Sequence, residues 1–139
     1  NFWAGNAPEQ WEIVQDIRVN GGDTKKAQSD ASALLRENAD IKGFFGCNNT
    51  STVGIVNTLL KEERTDVVLV GFDLADETKQ MLQNPEYHAV TVLQKQDQMG
   101  YLGMLSLNSL IKGEKSEQKY FDTGVIMVDS DYLMENAVS

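Results

Sequence analysis

The sequence is poor in the side chains that carry most metal and covalent chemistry. It has one cysteine, Cys47, and one histidine, His88. A single thiol forms no internal disulfide and no cysteine-based zinc site, so cysteine usage does not fix a compartment. A histidine-rich metal site or a serine–histidine–aspartate triad would have to be built around His88 alone, and neither a metal ligand set nor a catalytic residue is assigned. Basic residues are also scarce: 12 Lys and Arg stand against 21 Asp and Glu, a net charge of −9. Nucleic-acid surfaces need clustered cations, and so does docking on anionic lipid. The acidic balance argues against both, and its simplest meaning is solubility. No run of 18 apolar residues is present, so nothing reads as a membrane-spanning helix. There is no spaced-glycine phosphate loop, since Gly21-Gly22-Asp23 lacks the following Lys-Ser/Thr. The chain begins Asn1-Phe2-Trp3 without a basic-then-apolar leader, which reads as a processed or excised piece with any targeting signal upstream.

What is present is an alternation of strand-like and helix-like segments. At 139 residues, 41% hydrophobic and 24% charged, the chain suffices for one globular domain with one core. Trp11 to Val19 alternates apolar and polar residues as a strand near a sheet edge would. Gly21-Gly22 breaks it and Asp23 is a good helix cap. Ala27, Ala31, Leu34 and Leu35 then form one helical stripe. Ile41 to Cys47 is a short apolar strand. Asn49, Thr50 and Ser51 are possible caps for a helix lined by Val53, Val56 and Leu60. Val67 to Phe72 is apolar on both faces, as expected of a central parallel strand covered on both sides. Leu74, Thr78, Met81 and Leu82 make a short helix stopped at Asn84-Pro85. Ala89 to Leu93 is the next strand. A longer helix, Asp97 to Lys112, carries Met99, Leu102, Gly103, Ser106, Leu107 and Leu110 on one face and ends at Gly113. Gly124 to Val128 is a last strand, and the tail after Asp129 is weakly patterned. The fold class is α/β: an open, mostly parallel sheet with helices on both faces.

The informative polar residues come directly after the strands. Asn48-Asn49-Thr50 follow the Ile41–Cys47 strand, Asp73 follows Val67–Phe72, Gln94 follows Ala89–Leu93, and Asn20-Gly21-Gly22-Asp23 follow Trp11–Val19. In a parallel sheet these points share the carboxyl edge, where open α/β sheets bind ligands and helix N-termini bring N–H groups. Asn and Gln both donate and accept, and Asp accepts twice, so the set suits the hydroxyls of a sugar. Each residue also has a plainer reading: Asn48, Asn49 and Thr50 as helix caps, Asp73 as the cap of the Leu74–Leu82 helix, Gln94 as an ordinary polar residue. Cys47, just before a helix N-terminus, has the sequence context of an activated thiol. Without a nearby base it reads instead as a small core thiol, and the chain as a non-enzyme without a cofactor.

Phe45-Gly46-Cys47-Asn48-Asn49, Val70-Gly71-Phe72-Asp73 and Val92-Leu93-Gln94 resemble, in order and spacing, the second lobe of type I periplasmic binding proteins. That family includes ribose- and galactose-binding components of bacterial transporters and the effector domains of lac-repressor-like regulators. Met99-Gly100-Tyr101-Leu102-Gly103 and Asp122-Thr123-Gly124-Val125 are also similar to solute-binding members. The resemblance implies a two-lobed protein closing on a sugar. Asn48, Asp73 and Gln94 would bond sugar hydroxyls, with Asn49 and Gly22 beside them. Gln94-Lys95 and Asp122-Thr123 would be the hinge crossings. Gly22 stands where many members carry an aromatic ring, and Asn49 where an Asp is common. The chain would be a partial ligand-binding domain, mainly the C-terminal lobe, with residues 97–121 packing against an absent N-terminal lobe.

The resemblance further implies an ABC-type transport role in the periplasm or outside the cell, with a membrane transporter or receptor as partner and a lipid anchor as an option. A sensor input domain or a regulator's effector domain are the alternatives. In the strand order 2-1-3-4-5 the first strand and most of its helix would be missing, Asn1 to Ala7 being that helix's end. The slot between Trp11–Val19 and Ile41–Cys47 would be left open, be filled by swapping with a second copy, or mark a remnant of a longer chain.

Overall fold

The computed structural model describes residues 11–14, 17–114 and 118–136. The segment Asn1–Ala7, expected to end a helix, lies outside the described residues. Four strands, β1 (Gly43–Phe45), β2 (Val68–Phe72), β3 (Ala89–Gln94) and β4 (Val125–Val128), form one sheet in the order β1-β2-β3-β4. β1, β2 and β3 are parallel, with Phe45 opposite Val70 and Phe72 opposite Val92. β4 returns antiparallel, with Gln94 opposite Val125. The helices are α1 (Thr24–Glu37), α2 (Asn49–Lys61), α3 (Asp76–Leu82), α4 (Gln96–Ile111) and α5 (Ser130–Glu135). The expected open, mostly parallel α/β sheet is present.

Three of the described helices begin at a side-chain cap, while the N-cap residues of α3 and α4, Ala75 and Lys95, make no such bond. Asp23 caps α1 by accepting from the Lys25 and Lys26 backbone N–H groups. Asn48 caps α2 through the Ser51 N–H. In the tail that was weakly patterned, Asp129 caps the two-turn α5 through the Tyr132 N–H. α1 and α2 pack closely because Gly54 has no side chain: a Cβ there would lie 2.4 Å from the Ala27 Cβ. Ala31 and Leu35 of α1, Ile55, Val56 and Leu59 of α2, Val67 and Leu69 beside and within β2, and Met81 of α3 form the main core. Leu82, Val128 and Leu133 form a second cluster that seats α5 on β4. At the amino end of the strands, Arg64 donates to the Ile41 carbonyl at 3.1 Å and to Asp66, which Lys42 also reaches.

Several expectations are corrected. Trp11–Val19 is not a strand at its described positions, and residues 15 and 16 lie outside the description. Trp11, Val14, Ile17 and Val19 are exposed, Ile17 at 79% and Val19 at 76%. Alternation alone does not make a strand without a neighbour to complete the ladder, and among the described residues β1 pairs only with β2. The Ile41–Cys47 strand shrinks to Gly43–Phe45 for the same reason. β2 is covered unevenly: Leu69 and Gly71 on one face are buried, while on the other Val70 and Phe72 are half-buried and Val68 is 45% exposed. Leu74 is not helical, because α3 starts at Asp76 behind Ala75. Cys47 is exposed rather than in the core, since it has already left β1 when the chain turns into α2.

Candidate functional site

The carboxyl edge is built from the turns that follow the strand ends. β1 ends at Phe45, and the next residue, Gly46, donates its N–H to the Val70 carbonyl. A Cβ on Gly46 would meet Thr52 Oγ1 at 2.6 Å, so glycine is what lets α2 start directly above the strand end. That places Asn48 at the edge. Its Oδ1 accepts from the Ser51 N–H at 2.9 Å and from the Thr50 hydroxyl at 3.0 Å. The capping reading of Asn48 is therefore correct as far as its oxygen goes. No described residue accepts from its Nδ2. Asn49 is the first residue of α2 and is exposed.

Asp73 has a different environment from the one its cap-like position suggests. It does not cap α3, whose N-cap residue is Ala75. It is a non-glycine residue in the left-handed region, φ 63°, a conformation Asp tolerates better than most but which still opposes the usual backbone preference. Its N–H donates to the Val92 carbonyl at 2.9 Å, its own carbonyl accepts from the Thr91 hydroxyl at 2.7 Å, and its Oδ1 accepts from Gln94 Nε2 at 3.1 Å. The structure thus brings Asp73 and Gln94 into direct contact, both half-buried.

The loop ahead of α1 joins the same edge. Asn20 Nδ2 donates to the Ser51 hydroxyl at 2.9 Å, and Asn20 Oδ1 accepts from the Gly22 N–H at 2.9 Å. Gly21 and Gly22 have φ of 65° and 82°, and Gly22 is exposed. Gly22 thus contributes shape and no side chain, while Asn20 fastens the loop to the start of α2. In the sequence Asn20 is one polar residue after an apolar segment, with nothing there to mark it out. Nor does the sequence by itself pair Phe45 with Phe72, whose rings meet edge to face at 6.1 Å. Both end a strand at this edge, and that position is the signal that could have found them.

The expected hinge crossings lie side by side, because β3 and β4 pair from Gln94 to Val125. Asp122 Oδ1 accepts from the Gly124 N–H at 2.8 Å, and Gly124 has φ 71°. The Lys95 side chain runs past that glycine, with Nζ 3.5 Å from where a Cβ would stand. Thr123 is half-buried between them in sequence.

At this edge Asn48, Asn49 and Gly22 are exposed, and Asp73 and Gln94 are half-buried. Two grooves lie elsewhere: one of about 330 Å³ between α1 and α2, lined by Lys25, Ser32, Arg36 and Glu62 among others, and one by Glu63 and Tyr87 at the amino end of the strands. Neither touches the polar residues named above. Among the described residues no group of three or more His, Cys, Asp or Glu is placed to hold a metal ion, and no helix is long and apolar enough to cross a membrane. The marked electrostatic perturbation is also remote: hydrogen bonds from the Arg64 guanidinium and then the Lys42 ammonium hold the Asp66 carboxyl well below the usual carboxylate range.

A family profile described as "Periplasmic binding protein domain" matches residues 2–115. The ribose import binding protein RbsB of Escherichia coli is 30% identical over 87 residues, which is 63% of this chain and 29% of that protein. The chain therefore spans less than a third of the length of that curated relative. An ABC transporter solute-binding protein from Agrobacterium vitis, solved with bound D-fucose, superposes with a TM-score of 0.78 at 27% identity, over 91% of this chain and 43% of that one. A carbohydrate transporter solute-binding protein from Agrobacterium radiobacter, in complex with D-arabinose, gives 0.78 at 26% identity, over 91% and 42%. With this profile matching most of its residues, the chain belongs to the periplasmic binding protein domain family.

Proposed function

We propose that the carboxyl edge of this sheet is one wall of a sugar-binding cleft, in the solute-binding component of an ABC-type transport system working in the periplasm or outside the cell. The observation that carries this reading is the Asp73–Gln94 pair: an oriented carboxylate and amide at the end of two adjacent parallel strands, at the same sheet edge where Asn48 follows β1. Such a set matches hydroxyls that both donate and accept, and it discriminates against an analogue lacking one, because a buried partner is then left unpaired. Phe45, half exposed at the same edge, offers an aromatic surface to the apolar face of a sugar ring. The relatives named above bind ribose, D-fucose or D-arabinose, which makes a monosaccharide the class to test.

The opposite wall belongs to a second lobe. α4 supports this: none of its residues is buried, and Met104, Leu107 and Ile111 are at least half exposed. Residues 97–121 pack against that lobe, Gln94-Lys95 and Asp122-Thr123 are the crossings to it, and the transporter or receptor docks on the whole protein. The mode is binding without covalent change. A thermal-shift and calorimetric screen of D-ribose, D-fucose and D-arabinose on the two-lobed protein tests the reading, since a ligand of the native state raises stability by mass action. Absence of stabilisation by any monosaccharide would contradict it.

A further inference from the structure

The end of β2 is gripped from both sides by buried hydroxyls. Thr52 of α2 and Thr91 of β3 are each 0% exposed. Phe72 donates its N–H to Thr52 Oγ1 at 2.9 Å, and the Thr52 hydroxyl donates to the Asn48 carbonyl at 2.9 Å. One residue further on, the Thr91 hydroxyl donates to the Asp73 carbonyl at 2.7 Å. Two glycines make room for this. A Cβ on Gly71 would stand 2.5 Å from Thr52 Cγ2 and 3.3 Å from Thr91 Oγ1, and one on Gly46 would stand 2.6 Å from Thr52 Oγ1. Valine has the shape of threonine but no hydroxyl, so at these positions it would leave the Phe72 N–H and the Asp73 carbonyl without these partners. What threonine adds at these two buried positions is a hydroxyl, and both hydroxyls bond the backbone of edge residues.

We propose that Thr91 and Thr52 are positioning residues of the sugar site. Thr91 fixes the left-handed backbone of Asp73, so that its carboxylate meets Gln94 and faces the cleft. Thr52 ties the backbones of Asn48 and Phe72 together, so that the ends of β1 and β2 keep one spacing. The cleft wall is thereby set before a ligand arrives, which lowers the ordering cost of binding. The role as site residues rests on the sugar-cleft reading; the grip itself does not.

The test uses Thr91→Val and Thr52→Val in the two-lobed protein, with Thr91→Ser and Thr52→Ser as hydroxyl-retaining controls. Without ligand, the Asp73 Cα and Cβ chemical shifts report its backbone conformation. With ligand, calorimetry against D-ribose, D-fucose and D-arabinose reports affinity, well below the melting temperature. Thr91→Val is expected to move the Asp73 shifts away from left-handed values and to weaken the bound sugar by about tenfold, with Thr91→Ser within about threefold of the parent. Thr52→Val is expected to weaken the sugar to a similar degree. A lower melting temperature with Asp73 shifts and affinity unchanged would mean that the hydroxyls only stabilise the fold, and would overturn the proposal. If Thr91→Val does not fold, Thr91→Ala against Thr91→Ser decides, equal Asp73 shifts overturning it. If none of the three sugars binds the parent, the cleft reading fails, while the Asp73 shifts still decide whether Thr91 holds that backbone.

Discussion

Gln94 Nε2 donates to Asp73 Oδ1 at 3.1 Å, across the carboxyl ends of β2 and β3. The contact orients the carboxylate while no described residue donates to its second oxygen, Oδ2. An ionised acceptor held this way forms charge-assisted bonds worth about 1.5–3 kcal/mol each. Asp73→Asn is the informative substitution, because asparagine also tolerates φ 63° while it removes the charge and turns one acceptor oxygen into an N–H donor. On the cleft reading it is expected to weaken sugar binding in the two-lobed protein by about 2–3 kcal/mol at unchanged stability. Asp73→Ala adds a backbone penalty of about 1–2 kcal/mol, so it should lower both affinity and melting temperature. Calorimetry showing parental affinity for Asp73→Asn removes Asp73 from the site.

Gly54→Ala sets two effects against each other. Inside a helix, alanine is favoured over glycine by about 1 kcal/mol. Here the new Cβ would stand 2.4 Å from the Ala27 Cβ and 2.7 Å from the Gln28 backbone nitrogen. Backbone atoms of a packed helix cannot yield as a flexible side chain does, and overpacking costs about 1–3 kcal/mol. The steric term wins, so urea unfolding should show a net loss of stability. A gain would mean that α1 is free to move away from α2.

The strand-end polar residues were legible in the sequence because strand ends in a parallel sheet share an edge, whatever the rest of the fold does. Asn48, Asp73 and Gln94 all fall there. Local environments were less legible. Asp73 looks like a cap in one dimension, yet its φ and its contact with Gln94 depend on Val92 and Thr91 from the neighbouring strand. Cys47 looks like a core residue in an apolar run, but the run outlasts β1. Trp11–Val19 has a strand's alternation and, among the described residues, no neighbouring strand to complete it. α5 was missed because six residues give too short a window for periodicity; only its Asp129 cap announces it.

Cys47 is exposed and next to Asn48. A native-state thiol reagent should therefore modify it without prior unfolding. Cys47→Ala should leave sugar affinity within about tenfold, since a thiol is only a weak hydrogen-bonding group. Complete loss of binding on that substitution would show that Cys47 itself contacts the ligand.

Asp66 supplies a pH dependence with a definite sign. Its carboxyl titrates well below the usual carboxylate range because Arg64, then Lys42, bonds its charged form. A carboxyl depressed on folding contributes stability above its unfolded pKa and loses that contribution as pH falls through the folded one. The stability difference between the parent and Asp66→Asn should be constant from neutral pH to about pH 5 and shrink below about pH 4. The effect is modest, since the carboxylate is solvent-exposed and salt-screened. A difference that grows on acidification would contradict the assignment.

The last expectation concerns residues 1–139 studied alone. On the cleft reading they carry one wall, and closure by the second lobe supplies the remaining contacts and the exclusion of water. Sugar binding by this piece should be far weaker than by the two-lobed protein, and micromolar affinity would contradict the reading. The same piece leaves Met104, Leu107 and Ile111 of α4 in water at i, i+3 and i+7, one stripe along the helix. A contiguous apolar stripe of this kind promotes association, opposed here by a net charge of −9. Added salt screens that repulsion and strengthens apolar burial. Sedimentation should therefore show self-association rising with salt, and Leu107→Lys should suppress it. A monomer at all salt concentrations would mean that this face of α4 is covered within the chain itself.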